Sequence, residues 1–254
     1  MTVPPGGRLS SKDGVESFVP QKGLLPISEV FGPTIQGEGP FAGRVCSFLR
    51  FGGCNLGCWW CDSAYTWDGR NYDLREEIVM RSAEEVLDLV PMNPICVVTG
   101  GEPLLYQRRP AFMELVKALV RRGQAVHFET NGTVEPLAEL VDLAEAFVVS
   151  PKLPHAQAQR GRTSPALHPG WGVIGRREST YLKVVVESES DVAAAVRLAD
   201  ENHWDRGRVW VMPEGVDKDT LERKWRTVCE WATVRGVNAS HRLHVLAWGE
   251  ERGR

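Results

Sequence analysis

Apolar and polar positions along the chain switch repeatedly between two periods, and that switching predicts the architecture. Short apolar runs at Ile95 to Thr99, Ala125 to Glu129, Phe147 to Ser150, Tyr181 to Val186 and Val209 to Met212 have the length and continuity of buried strands. Helical spacing fills the intervals. Ser82-Ala83-Glu84-Glu85 has capping-box spacing, and Val86, Leu89 and Val90 form the apolar face that follows. Pro110 to Arg122 opens on proline and ends before Gly123, and Thr220 to Arg235 ends before Gly236, the expected asymmetry of helix termini. Further helices are expected near Pro136 to Ala144 and over Asp191 to Ala199, with a last strand over Leu243 to Ala247. Upstream, strands at Ile27 to Phe31 and Val45 to Phe51 flank the glycine-rich turn Gln36-Gly37-Glu38-Gly39.

Strands that alternate with helices require crossover connections and a parallel sheet, either doubly wound or rolled into a barrel. About six such units fall short of the eight in a closed barrel. The expected fold is therefore α/β, an incomplete (partial) parallel β/α barrel. Residues 1–24 are rich in Pro, Gly and Ser without an apolar period, which predicts a flexible N-terminal arm ahead of a single domain over 25–254. The loop from Pro151 to about Glu178 is long enough to be a lid or binding segment.

The chain has 254 residues, of which 43% are hydrophobic and 25% charged, enough apolar matter for a substantial core. A net charge of -3 offers no general attraction for nucleic-acid phosphates or an anionic membrane. No apolar run approaches the roughly 20 residues of a membrane helix, and the opening MTVPPGGRLSSKDG lacks the apolar stretch of a signal peptide. These features lead us to expect a cytoplasmic protein.

Three of the six cysteines fall within eight residues, Cys54-Asn-Leu-Gly-Cys58-Trp-Trp-Cys61, a concentration that suits metal ligation better than a disulfide framework. Cys46, Cys96 and Cys229 lie in apolar surroundings and read as buried structural thiols. Structural zinc wants four ligands, which a nearby His or Asp could complete. A 4Fe-4S cluster held by three thiolates instead leaves one iron open. Other polar clusters sit at the carboxyl ends of strands, where α/β folds gather their sites. They are Thr99-Gly100-Gly101-Glu102-Pro103, Glu129-Thr130-Asn131-Gly132, Ser150-Pro151-Lys152 and Val211-Met212-Pro213-Glu214-Gly215.

The cysteine spacing, with an aromatic residue before the last thiol, resembles the signature of radical S-adenosylmethionine (SAM) enzymes. That resemblance implies a 4Fe-4S cluster on Cys54, Cys58 and Cys61 whose open iron chelates SAM. An electron from the cluster then splits the sulfonium to give a 5'-deoxyadenosyl radical. Gly100, Gly101 and Glu102 resemble the motif that meets the SAM amino group, Glu102 offering a carboxylate to the ammonium. Ser150, Lys152 and Met212 are the further candidate SAM contacts.

Gln36-Gly37-Glu38-Gly39, Ser47 to Cys54 and Trp60-Cys61-Asp62-Ser63 together resemble the 7-carboxy-7-deazaguanine synthases, and the likeness runs from about Ile27 to Leu246. That family contracts the reduced ring of 6-carboxy-5,6,7,8-tetrahydropterin with loss of ammonia, uses SAM catalytically and is assisted by Mg2+. On this resemblance Arg50 would meet the substrate carboxylate. Gln36, Glu38 and Glu129 would read the pterin edge, His244 could face the substrate, and Ser63 would offer its hydroxyl to Mg2+. The family often has threonine at the Ser63 position. No side chain is assigned a catalytic role, since the cofactor carries the radical chemistry. A flavodoxin- or ferredoxin-type electron donor and a homodimer are also implied. The competing readings are an activase that installs a glycyl radical on a partner protein, and a non-enzymatic iron-sulfur or zinc protein.

Overall fold

A computed structural model describes residues 23–157, 167–249 and 251–254. The expected N-terminal arm, apart from its last two residues, lies outside the described residues, as do 158–166 of the long loop. The chain enters through β1 (Leu25–Ile35), antiparallel to β2 (Val45–Phe51). A short α1 (Leu74–Glu77) leads to β3 (Val79–Arg81), which pairs antiparallel with the start of β1.

From there the alternation holds: α2 (Ala83–Leu89), β4 (Ile95–Gly100), α3 (Pro110–Arg121), β5 (Ala125–Thr130), α4 (Ala138–Leu143), β6 (Ala146–Val149). After the long loop come α5 (Trp171–Ile174), β7 (Thr180–Val186), α6 (Glu189–Glu201), β8 (Val209–Pro213), α7 (Lys218–Arg235), β9 (Asn238–Ala239) and α8 (Leu243–Trp248). Among the described residues the strands form one nine-stranded sheet in the order β3-β1-β2-β4-β5-β6-β7-β8-β9. Pairing is parallel from β2 through β9. Because β3 and β9 stand at opposite ends of that order, the sheet is open, and the fold is the incomplete β/α barrel expected.

The local signals act as the sequence implies. Ser82 and Glu85 form a reciprocal capping box at the start of α2, satisfying two otherwise orphaned N–H groups. Helix α3 starts on Pro110 and buries Ala111, Phe112, Leu115, Val116 and Leu119 along one stripe. That stripe meets the outer face of the sheet, where Phe51, Phe112, Phe128, Phe147 and Trp171 form a run of ring contacts between 5.4 and 6.3 Å. Each such ring contributes roughly 1.5–3 kcal/mol by leaving water, so this apolar layer fixes the sheet on which the site is built.

Two readings need correction. Leu243 to Ala247 is a helix, α8, and not a strand. The position beside β8 is already filled by β9, and the chain turns as Leu243 N donates to Gly37 O at 2.9 Å and Val245 N to Arg242 O at 3.1 Å. A short apolar run does not by its period distinguish the two structures. Cys46 and Cys96 are buried as expected, whereas Cys229 on α7 is only partly buried.

Candidate active site

One cavity opens across the carboxyl ends of the parallel strands. It is walled by the Cys54–Cys61 loop after β2, Gly100 and Gly101 after β4, Glu129 and Asn131 at the end of β5, and Ser150 and Lys152 after β6. Lys183 of β7, Met212 of β8 and Arg242 and His244 around α8 complete it. Ser63, Arg50, Gln36 and Glu38 face the same space.

Backbone contacts pin the start of the cysteine loop both to Thr66 and to the end of β4. Gly53 N donates to Thr66 O at 2.6 Å, Glu102 N to Gly53 O at 2.8 Å and Gly101 N to Phe51 O at 2.9 Å. This approach requires glycine at 101, where a Cβ would stand 2.0 Å from Gly53 O and 3.0 Å from Cys54 N. All three thiols reach the cavity wall. Cys54 Sγ accepts from Leu56 N at 3.4 Å and Asn131 Nδ2 at 3.8 Å, and Cys61 Sγ from Trp67 Nε1 at 3.4 Å. Such N–H donors stabilise negative sulfur.

Among the described residues, no three His, Cys, Asp or Glu side chains converge closely enough to share one metal ion. Three thiols on one tight loop fit a polynuclear iron cluster, in which each would bind a different iron. Burial, with Glu102 and the neighbouring thiols, pushes the Cys54 thiol up to about 12, and burial raises Cys58 as well; a bound metal centre would supply the positive charge that favours the thiolates.

Glu102 occupies a different place from the one expected. It is fully buried and is not on the cavity wall. Its carboxylate instead accepts Leu104 N at 2.9 Å, the Thr130 hydroxyl at 2.9 Å and Asn131 N at 2.7 Å. Burial nevertheless raises its pKa to about 7 against these hydrogen bonds. Glu102 thus ties the β4 turn to the end of β5, and the groups left facing the cavity at this motif are the backbones of Gly100 and Gly101. Beside them Lys152 Nζ donates to the carbonyl and hydroxyl of Ser150, both at 2.8 Å, and lies 5.8 Å from the Trp60 ring.

Opposite the thiols stands a cage of alternating charge. Lys183 Nζ lies 2.5 Å from Glu38 Oε2 and 3.4 Å from Glu129 Oε1. Arg242 Nε lies 2.8 Å from Glu38 Oε1, and its guanidinium also pairs with Asp62. Burial would raise the Glu38 carboxyl, but Lys183 and Arg242 reverse that and hold it well below the ordinary value. Gln36 links the two acids, accepting from Glu38 N at 3.1 Å and donating to Glu129 Oε1 at 3.2 Å. Thr99 Oγ1 donates to the other Glu129 oxygen at 2.9 Å.

His244 Nε2 stands 3.9 Å from Glu38 Oε1. Burial lowers the His244 pKa despite that carboxylate, so the ring is neutral at neutral pH. Its approach depends on Gly37, where a Cβ would fall 1.9 Å from His244 Nδ1. Arg50 on β2 turns its Nε to Glu29 Oε2 at 3.2 Å and is among the residues that line the cavity.

These parts coincide with what the chain is similar to. The radical SAM superfamily pattern matches residues 49–160, which contain the cysteine loop and the strand ends after β4 and β5. The 7-carboxy-7-deazaguanine synthase of Pyrobaculum aerophilum is 33% identical over 231 residues, covering 90% of this chain and 96% of the relative. That of Bacillus subtilis is 37% identical over 255 residues, covering 90% and 98%. The chain belongs to the 7-carboxy-7-deazaguanine synthase family. The crystal structure of QueE from Escherichia coli superposes on it with a TM-score of 0.64 at 25% identity, covering 87% of this chain and 95% of that one. As a member of the radical SAM superfamily, the chain uses a 4Fe-4S cluster and SAM, and the three-thiol loop fits that cluster by number, spacing and donor environment.

The sequence-based site residues therefore gather in one cavity with the single exception of Glu102. Lys183 and Arg242 were not anticipated as part of it. A lone lysine in the apolar strand Tyr181 to Val186 is a usable signal, because a buried ammonium must find partners. Arg242 has no comparable signal, since its partners lie 204 and 180 residues away.

Proposed function

We infer that the chain is a radical SAM carbon–nitrogen lyase that converts 6-carboxy-5,6,7,8-tetrahydropterin to 7-carboxy-7-deazaguanine with loss of ammonia, a step toward queuosine and related 7-deazapurines. The observation that carries this reading is the meeting of a three-thiol loop with a cage of alternating charge inside a single cavity. A substrate with a carboxylate at one end and a row of N–H donors at the other needs such a wall, cationic on one side and rich in acceptors elsewhere.

The proposed roles follow from the chemistry of each group. Cys54, Cys58 and Cys61 hold the cluster, and the backbones of Gly100 and Gly101, with Ser150, Lys152 and Met212, hold SAM. When bound, cluster and SAM supply the one-electron cleavage that generates a hydrogen-abstracting adenosyl radical. Glu38 and Glu129 accept N–H groups of the pterin, and Lys183, with Arg242, keeps Glu38 ionised for that purpose. Gln36 donates or accepts at the same edge, and neutral His244 closes it. Arg50 binds the substrate carboxylate. The hydroxyl of Ser63, near Cys61 Sγ at 3.6 Å, with substrate oxygens, offers Mg2+ the hard ligands it prefers. A cytoplasmic homodimer reduced by a flavodoxin- or ferredoxin-type protein completes the proposal. Among the described residues no helix is long and apolar enough to cross a membrane.

Arg50→Ala tests the substrate assignment. It should abolish pterin turnover while reductive cleavage of SAM to 5'-deoxyadenosine persists. Unchanged turnover would leave Arg50 with only its Glu29 ion pair to explain.

A further inference from the structure

Arg50 does not stand alone on the cavity wall. Its partner Glu29 accepts from three donors: Arg50 Nε at 3.2 Å and the Tyr65 hydroxyl at 2.7 Å on Oε2, and Arg252 Nε at 3.2 Å on Oε1. Arg252 comes from the segment after α8. Its guanidinium lies 3.7 Å from the centre of the Tyr65 ring and pairs with Glu77 at 2.8 and 3.3 Å. The neighbouring Gly253 packs near Phe31, and Arg254 reaches the cavity wall. The Arg252 side chain is 47% exposed, so these contacts bury little apolar surface.

The charges explain them better. Glu29 on its own would neutralise Arg50 and weaken its pull on an anionic ligand. With Arg252 drawing on Glu29 and Glu77 at once, these four groups, two arginines and two carboxylates, sum to zero. Without Arg252 the remaining three sum to -1, beside the group that must bind an anion. We propose that Arg252 is a positioning residue for the substrate-carboxylate subsite, engaging Glu29 through the Tyr65 stack so that the Arg50 guanidinium stays available to the ligand. This inference rests on the reading of the cavity as the carboxypterin site.

The test is steady-state kinetics of the full chain with reconstituted cluster, SAM and 6-carboxy-5,6,7,8-tetrahydropterin at low and high salt, cluster absorbance serving as the folding control. Arg252→Ala should raise KM for the pterin about tenfold with kcat within about twofold, and the increase should shrink at high salt. Arg252→Lys, which keeps the charge but not the planar fork, should recover most of the loss. Glu77→Gln moves the sum to +1 and should leave KM unchanged or lower it. A wild-type KM in Arg252→Ala overturns the inference, as does a rise in Glu77→Gln equal to that in Arg252→Ala, which would make the segment a mechanical tether. Failure of the wild-type enzyme to turn over the pterin would overturn the underlying site reading and this inference with it.

Discussion

Replacing Gly101 with alanine places a methyl carbon 2.0 Å from the carbonyl oxygen of Gly53, a separation that real Cβ contacts, which stay beyond about 3.0 Å, do not show. The clash is with backbone on both sides, so no side chain can rotate out of the way. The Gly53–Cys54 segment must retreat by about 1.0 Å, the difference between those distances, and with it goes the first cluster ligand. The retreat also stretches the 2.8 Å hydrogen bond from Glu102 N to Gly53 O. Overpacking of this kind costs about 1–3 kcal/mol and sometimes more. A 1 Å misplacement of reacting groups costs on the order of a hundredfold in rate. Gly101→Ala should therefore assemble its cluster poorly, and what assembles should cleave SAM about a hundredfold more slowly than the wild type. Iron and sulfide content, cluster absorbance and anaerobic 5'-deoxyadenosine formation measure both effects. A variant with a full cluster and the wild-type cleavage rate would refute the argument that the bare backbone of residue 101 sets the distance between the two loops.

Cys54→Ala, Cys58→Ala and Cys61→Ala should each abolish assembly of the 4Fe-4S cluster while Cys229→Ala leaves it intact, as iron analysis would show. Glu102→Ala strands the Leu104 and Asn131 N–H groups and the Thr130 hydroxyl and should cost about 3 kcal/mol or more, read as a lower denaturant midpoint under anaerobic conditions; an unchanged midpoint would remove its structural role. Lys183→Met should make pterin binding sensitive to acid. In the wild type burial works against Glu38, but Lys183 and Arg242 hold its carboxyl well below 4.5. Interactions that need the ionised form are therefore complete above that value and fade only as pH falls through the lowered pKa. With Lys183 gone the fade begins at higher pH, so KM at pH 5.5 should rise more than KM at pH 8, and a parallel rise at both would contradict the assignment.

Much of this organisation is legible in the sequence because its causes are local. A capping box at Ser82 and Glu85, a proline at the head of α3 and short apolar runs each act within a few residues, so the open barrel follows from reading them in order. The three thiols are legible for the same reason, since one tight loop carries them all. What fails depends on contacts between distant parts of the chain. Residues 243–248 have a composition that serves either structure, and β9 occupying the sheet edge decides for helix. Glu102 has the chemistry of a ligand group, yet the N–H groups and hydroxyl that surround it make it an internal tie. Arg242 meets Glu38 and Asp62 only because the whole fold brings the start of α8 back to the turn after β1 and to the cysteine loop.

The most direct test of the central claim is mass spectrometry of an anaerobic reaction containing reconstituted protein, SAM, a low-potential reductant, Mg2+ and 6-carboxy-5,6,7,8-tetrahydropterin. 7-Carboxy-7-deazaguanine and ammonia should form in equal amounts, with product lost in Arg50→Ala. Formation of 5'-deoxyadenosine without that product, by protein with a verified cluster, would contradict the substrate assignment on which the reading of the charged cage depends.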